Sequence, residues 1–424
     1  MTQADNHWGA PLAGEIDASI SLPGSKSLTN RELVLSAIAH EPTRLVAPLV
    51  SRDSQLMISA LEAIGTKFEW QKDDLLVTPG ILQGPAEIDC GLAGTVMRFL
   101  PPLSTLAKGV ISFDGDEGAR ARPMQTTIDS LRALGVEISC EGQSLPFEVH
   151  STGAVEGGEL EIDASASSQF VSGLLLVAAK FKNGLTLKHV GSGLPSLPHI
   201  EMTLETLRQR GVDAKTLSED SWRVEPGQIS GGEVVIEPDL SNAGPFLAAA
   251  MVAGGEVRIP NWPASTTQVG AEFQRILPLM GANVSLESGT LKIQSDGNIK
   301  GIDIDLSIGG ELAPVIAALA ALANSPSRIT GIAHLRGHET DRLAALCAEI
   351  NRLGGAATEL PDGIAITPKP LSGGLWHTYH DHRMATAGAI IGLRVPGVEV
   401  ENIATTSKTM PGFVDLWAKM LGNS

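Results

Sequence analysis

The chain has 424 residues, a length at which a single hydrophobic core usually gives way to two or more domains. Apolar residues make up 43% and charged residues 19%, a globular balance, while aromatics at 4% are too few for stacking single-stranded nucleic acid. A net charge of −17 with no Lys/Arg run argues against duplex binding, so no nucleic-acid partner is expected.

Cys90, Cys140 and Cys347 are odd in number and widely spaced, which predicts neither a disulfide framework nor a zinc site and suits a reduced, cytoplasmic protein. Residues 1–12 carry no basic n-region and no apolar h-region, so no signal peptide is expected. The longest apolar stretch, residues 314–323, is too short for a bilayer, so no membrane partner is expected either.

In chain order, six clusters of small polar residues open segments rich in Ala and Leu; they begin near Ser25, Gly91, Ser165, Asp239, Gly309 and Asp381. Between them runs a second phrase: a helix-period stretch, a Gly, then alternation of the strand type. Leu61-Glu62-Ala63-Ile64-Gly65 and Leu131-Arg132-Ala133-Leu134-Gly135 are its first two instances. The later ones end on Gly211, Gly281, Gly354 and Gly422, and the glycines lie 70, 76, 70, 73 and 68 residues apart. Gly at the position after a helix takes the left-handed conformation that ends it, which is why this residue type marks the boundary. Strand alternation follows in residues 136–139, 145–149, 290–293 and 302–305. Two markers at one period predict a sixfold repeat of about seventy residues, most naturally grouped as two domains of three.

The polar clusters matter because a helix start offers unpaired N–H groups and the positive end of its dipole, a place for phosphate or carboxylate. An ordinary cap satisfies any one of them. As a set, however, they carry cations, hydroxyls and amides: Ser25, Lys26, Ser27, Asn30 and Arg31; Gly91, Gly94, Thr95 and Arg98; Ser165, Ser167, Ser168 and Gln169; Asp381, His382 and Arg383. Cationic or uncharged segments in an acidic chain focus potential for small anions. Arg120-Ala121-Arg122-Pro123 places two guanidinium groups before a Pro able to occupy the first helical position. Residues 337–342 pack four ionisable side chains ahead of a helix over 343–353, and Thr405-Thr406-Ser407-Lys408-Thr409 is polar. No P-loop, dinucleotide fingerprint, G-x-S-x-G elbow or H-E-x-x-H is present. Nothing calls for a metal or an organic cofactor.

The segment Leu22-Pro23-Gly24-Ser25-Lys26-Ser27-Leu28-Thr29-Asn30-Arg31 resembles the N-terminal signature of the 5-enolpyruvylshikimate-3-phosphate synthase family, and Ala93-Gly94-Thr95-Val96-Met97-Arg98-Phe99-Leu100 its second. Arg122-Pro123, Ser167-Ser168-Gln169, Glu339-Thr340-Asp341-Arg342-Leu343 and Asp381-His382-Arg383-Met384 are similar to further family motifs, in the family's order. The resemblance implies an α/β fold: a two-domain inside-out α/β barrel of six βαβαββ repeats, three per domain. Residues 1–23 with 241–424 would form a discontinuous domain around an inserted 24–240, with the active site in the cleft between.

The resemblance also implies roles. Lys26 would touch both substrates, phosphoenolpyruvate and shikimate 3-phosphate. Ser27, Arg31, Ser167, Ser168, Gln169, Ser196, Glu311 and His338 would bind shikimate 3-phosphate. Gly94, Arg122, Gln169, Arg342, Arg383 and Lys408 would surround phosphoenolpyruvate. Glu311 would take the proton from the attacking hydroxyl, and Glu339 would protonate the enolpyruvyl methylene. No metal or cofactor is implied, and a monomer is expected. Three positions depart from the family's common pattern: Leu92 for Asn, Glu311 for Asp and His338 for Lys. The related UDP-N-acetylglucosamine enolpyruvyl transferases usually place a reactive Cys near an Arg-Pro, where this chain has Gly118-Ala119. A pure anion binder of the same fold would not need to retain Lys26, Glu311, Glu339 and Arg383.

Overall fold

A computed structural model describes residues 7–422. The chain forms two compact units: Gly24–Ile236 is one, and the described residues up to Pro23 together with those from Glu237 onward are the other. Each has its own hydrophobic core.

The described residues form five four-stranded sheets and one three-stranded sheet. All five four-stranded sheets are wired alike: a parallel pair, then two antiparallel strands. In Gly24–Ile236, for instance, Ala86–Asp89 runs parallel to Lys108–Asp114, which pairs antiparallel with Phe147–Thr152, and Glu137–Cys140 closes the edge. The helix Gly94–Ser104 links that parallel pair, a βαβ crossover. Two first strands come from far along the chain. Ile16–Ser19 runs parallel to Gly255–Ile259, and Gly232–Val235 runs parallel to Thr43–Val46. In the three-stranded sheet, His7–Gly9 lies antiparallel to Val398–Glu401, whose parallel partner is Gly374–Trp376.

The glycines that punctuate the sequence end helices. Gly65, Gly135, Gly211, Gly281, Gly354 and Gly422 each follow a helix C-cap and each has positive φ, from 73° to 117°. The polar clusters start helices. Ser25 caps Lys26–Ala37, accepting the Leu28 N–H, and Asp239 caps Leu240–Ala253, accepting that of Asn242. The helices Gly94–Ser104 and Ala313–Ala321 are buried along their whole length, and in Ala313–Ala321 the apolar residues accordingly surround the axis instead of forming one stripe. Ala313–Ala321 holds most of the longest apolar stretch, and among the described residues no helix is long and apolar enough to cross a membrane.

One local expectation fails. Pro123 is not the first helical residue: the helix is Gln125–Ala133 with Met124 as its cap at φ −129°, ψ −3°. The Pro123 carbonyl accepts from Arg98 Nη2 at 3.4 Å.

Candidate functional site

In Gly24–Ile236 three segments distant in sequence meet at Gly94, the first residue of a buried helix. A Cβ there would stand 3.0 Å from Arg122 Nη2, 3.0 Å from Arg98 Nη1 and 3.1 Å from Gln169 Oε1. Glycine is thus the residue that lets two guanidinium groups and an amide close over the helix start. Arg122 Nη1 donates to the Leu92 carbonyl at 3.0 Å, so Leu92 contributes backbone where its side chain offers no polar atom. Arg98 Nη1 donates to the Gly94 carbonyl, and its guanidinium lies over the Phe170 ring. Cations, an amide and free helix N–H groups are the donor set an anion needs. Arg98, placed in a polar cluster by the sequence but given no role there, lies at the centre of this one.

Lys26 begins the helix Lys26–Ala37, and its Nζ lies 3.3 Å from Oδ2 of buried Asp53. Ser27 is partly exposed, and its carbonyl accepts from Arg31 Nη1 at 3.0 Å. Arg31 itself is buried. Its other nitrogens donate to Thr203 Oγ1 and the His199 carbonyl, both at 2.8 Å, and to Ser172 Oγ at 3.4 Å. Burial lowers this guanidinium to about 9. The structure therefore shows Arg31 joining helices. Ser168 directly precedes the helix Gln169–Ala178 without a side-chain capping bond, and Ser167 Oγ accepts the Gln169 N–H at 3.2 Å. Behind them His189 has both nitrogens engaged: Nδ1 accepts the Ala164 N–H, so Nε2 carries the proton it donates to the Ser192 carbonyl. Ser196 takes a left-handed conformation, φ 56°, at the start of Leu197–Gln209.

The other unit gathers a second set. Arg342 opens the helix Arg342–Arg352 and is buried against Asp381, with Nε to Oδ2 at 2.7 Å and Nη2 to Oδ1 at 3.2 Å. The same Nη2 donates to Glu339 Oε2 at 3.0 Å, and Lys408 Nζ donates to Glu339 Oε1 at 2.7 Å. One carboxylate is thereby held between two cations. Burial acts to lower the Arg342 guanidinium, but the charges of Asp381 and Glu339 raise it overall. His338 Nδ1 lies 3.4 Å from Arg342 Nη1. Asp381 caps the helix His382–Gly392 by accepting the Arg383 N–H at 2.8 Å. Burial lowers the Arg383 guanidinium, and the charge of Glu311 opposes this. Glu311 sits in a short 3-10 turn, and its Oε1 accepts from Ser241 Oγ at 3.3 Å.

His334 and the capping carboxylate Asp381 belong to this set, although sequence reasoning gave neither a role. His334 packs on Gly310, where a Cβ would lie 2.6 Å from Nε2, and its ring meets that of His338. Burial lowers its pKa, Glu311 pulls it back up and Arg342 pushes it down. The signal available in sequence was its place four residues ahead of His338. Among the described residues no cluster of His, Cys, Asp and Glu could hold a metal ion.

The EPSP synthase (3-phosphoshikimate 1-carboxyvinyltransferase) family model matches residues 11–417. A 3-phosphoshikimate 1-carboxyvinyltransferase from Kocuria rhizophila is 55% identical over 433 aligned positions, covering 99% of this chain and 97% of that one. An EPSP synthase from Acinetobacter baumannii superimposes with a TM-score of 0.82 at 25% identity, over 98% of each chain. A second structure of EPSP synthase from that organism gives 0.79 at 25% identity, over 96% and 97%. With a match of this length and identity, and helix starts that carry the motif residues, the chain belongs to the EPSP synthase family of 3-phosphoshikimate 1-carboxyvinyltransferases.

Proposed function

We propose that the two polar sets serve one active site acting on one pair of anionic substrates. The reaction is the family's: the enolpyruvyl group of phosphoenolpyruvate passes to shikimate 3-phosphate in aromatic amino acid biosynthesis. The 5-hydroxyl adds to C2 while C3 gains a proton, and the tetrahedral adduct then expels phosphate. The observation that carries the reading is the convergence of Arg122, Arg98 and Gln169 on Gly94, a cradle for the phosphoenolpyruvate anion.

In this reading Arg122, Arg342, Arg383 and Lys408 hold phosphoenolpyruvate beside the Gly94 backbone. Ser167, Ser168 and Ser196 bind the phosphate of the other substrate, with Ser27, Gln169 and His338 on its ring and Arg31 fixing the Ser27 carbonyl. Lys26 touches both. Glu311 removes the hydroxyl proton, and Glu339 supplies the methylene proton after receiving one from Lys408, which donates to its Oε1 at 2.7 Å. Cations around both anions stabilise charge as it moves, and a site closed to water protects phosphoenolpyruvate from hydrolysis.

In the same way the six sheets are six copies of one βαβαββ unit, helices inward and sheets outward, three in 24–240 and three in 1–23 with 241–424. The shared wiring of the five four-stranded sheets supports this. The enzyme works as a monomer in the cytoplasm, and its charge of −17 suits small substrates over a polyanion.

The test is phosphate release from a mixture of protein, phosphoenolpyruvate and shikimate 3-phosphate. No release at saturating substrates overturns the assignment, and release only with a UDP-sugar acceptor moves it to the sister family.

A further inference from the structure

Two consecutive residues that are not glycine, Tyr379 (φ 53°) and His380 (φ 57°), adopt the left-handed conformation immediately before the cap residue Asp381. L-residues with large side chains rarely visit this region, and a pair of them persists only where the surroundings over-determine it. The surroundings here are specific. Tyr379 Oη donates to Glu349 Oε1 at 2.7 Å, and the His377 N–H donates to Glu349 Oε2 at 2.9 Å. Glu349 is fully buried, and Arg352 Nε at 3.0 Å balances its charge. Glu401 Oε2 takes His377 Nδ1 at 3.1 Å and the Thr378 N–H at 3.4 Å, and the Asp381 N–H returns to the Thr378 carbonyl at 2.8 Å.

We propose that Tyr379 and Glu349 are positioning residues for phosphoenolpyruvate binding: through the Tyr379 hydroxyl, Glu349 fixes the turn that aims Asp381 at Arg342 and starts the Arg383 helix. This rests on the reading of Arg342 and Arg383 given above. Glu349 lies two helical turns beyond Arg342 on one helix, so that helix grips residues 377–381 at both ends. If the Tyr379 hydroxyl lets go, the strained turn is free to relax, and the Arg342–Asp381 pair and Arg383 lose their shared reference. The Tyr379 ring is part-exposed, so its role is not to fill the core. Burial and the Glu349 hydrogen bond push its phenol up to about 12, so the hydroxyl stays a donor throughout the working range.

Tyr379→Phe removes one oxygen and keeps the ring. The expected result is a phosphoenolpyruvate KM raised about fivefold or more, with kcat and shikimate 3-phosphate affinity within about twofold of wild type. Glu349→Gln is expected to move the same constant in the same direction. Arg394→Ala is the control for plain destabilisation. Arg394 caps the carbonyls of Val252, Gly297 and Leu322, so its loss lowers the melting temperature without touching this turn. An unchanged phosphoenolpyruvate KM in Tyr379→Phe, or an equal rise in Arg394→Ala, overturns the proposal. Wild-type protein that releases no phosphate refutes the functional reading and this proposal with it, whereas normal wild-type turnover with an unaffected Tyr379→Phe refutes this proposal alone.

Discussion

Gly94 shows how little space separates binding from obstruction. A methyl group there would press on Arg122, Arg98 and Gln169 together, each at 3.0 to 3.1 Å. Both guanidinium groups are tied to backbone carbonyls, so they yield only by weakening those bonds. Gly94→Ala is therefore expected to raise the phosphoenolpyruvate KM about tenfold, the equivalent of ~1.4 kcal/mol, while the melting temperature changes little. Steady-state kinetics on a variant with normal thermal unfolding checks this; an unchanged KM would show that the cradle does not bind that substrate. At this scale the sequence was informative where chemistry is local. A polar cluster before an apolar run announces a capped helix, and Ser25, Asp239 and Asp381 do cap helices. It was silent where a role depends on what packs nearby. His334 acquires its setting only when Gly310 and Glu311 fold against it, and nothing local told that Arg31 would be buried among helices.

Among the elements, the helix Lys26–Ala37 is joined to a partner helix by buried polar contacts. Arg31, at the middle of it, donates to Thr203 and the His199 carbonyl of the helix Leu197–Gln209, and Glu32 beside it meets Arg210, the C-cap of that same partner, in a buried ion pair at 3.3 Å. Arg210 also donates to Ser36 and Thr43. Burial raises the Glu32 carboxyl to about 7 and lowers the Arg210 guanidinium, so the protein environment disfavours both charges. Glu32 has a folded-state pKa above its ordinary value of 4.5, so its contribution to stability is complete below about pH 4.5 and is lost as pH rises through about 7. Replacing Glu32 with Ala should cost about 3–5 kcal/mol at neutral pH, because Arg210 is left charged and buried. The double substitution Glu32→Leu with Arg210→Leu should be near neutral or stabilising, and should flatten the stability loss between pH 5 and 8. Urea unfolding at both pH values tests this; a double variant as unstable as the single one would refute it. Helix ends were legible in the sequence because Gly after a helix answers a backbone requirement. This ion pair was not, because residues 32 and 210 carry no pattern that links them.

For the whole molecule the decisive fact is which strand completes which sheet. Gly24–Ile236 is one continuous stretch containing all its sheets and its own core. Expressed alone it is expected to unfold cooperatively in urea, with tryptophan fluorescence and circular dichroism giving coincident transitions; a non-cooperative fragment would mean that its core needs the rest of the chain. The other unit is assembled from two stretches, and the sequence could not announce this from local signals, since the pairing of Ile16–Ser19 with Gly255–Ile259 is a matter of register across a long gap. That pairing also sets a timetable for synthesis. On the ribosome the strand that Ile16–Ser19 must lie beside follows it about 240 residues later, on the order of ten to fifty seconds at ordinary translation rates. His7–Gly9 waits longer still, for Val398–Glu401 near the end. While the inserted unit folds behind them, these first strands travel with open edges. A chaperone that shields these nascent strands, or a slower ribosome, should therefore change the yield of soluble protein more than the stability of the finished fold.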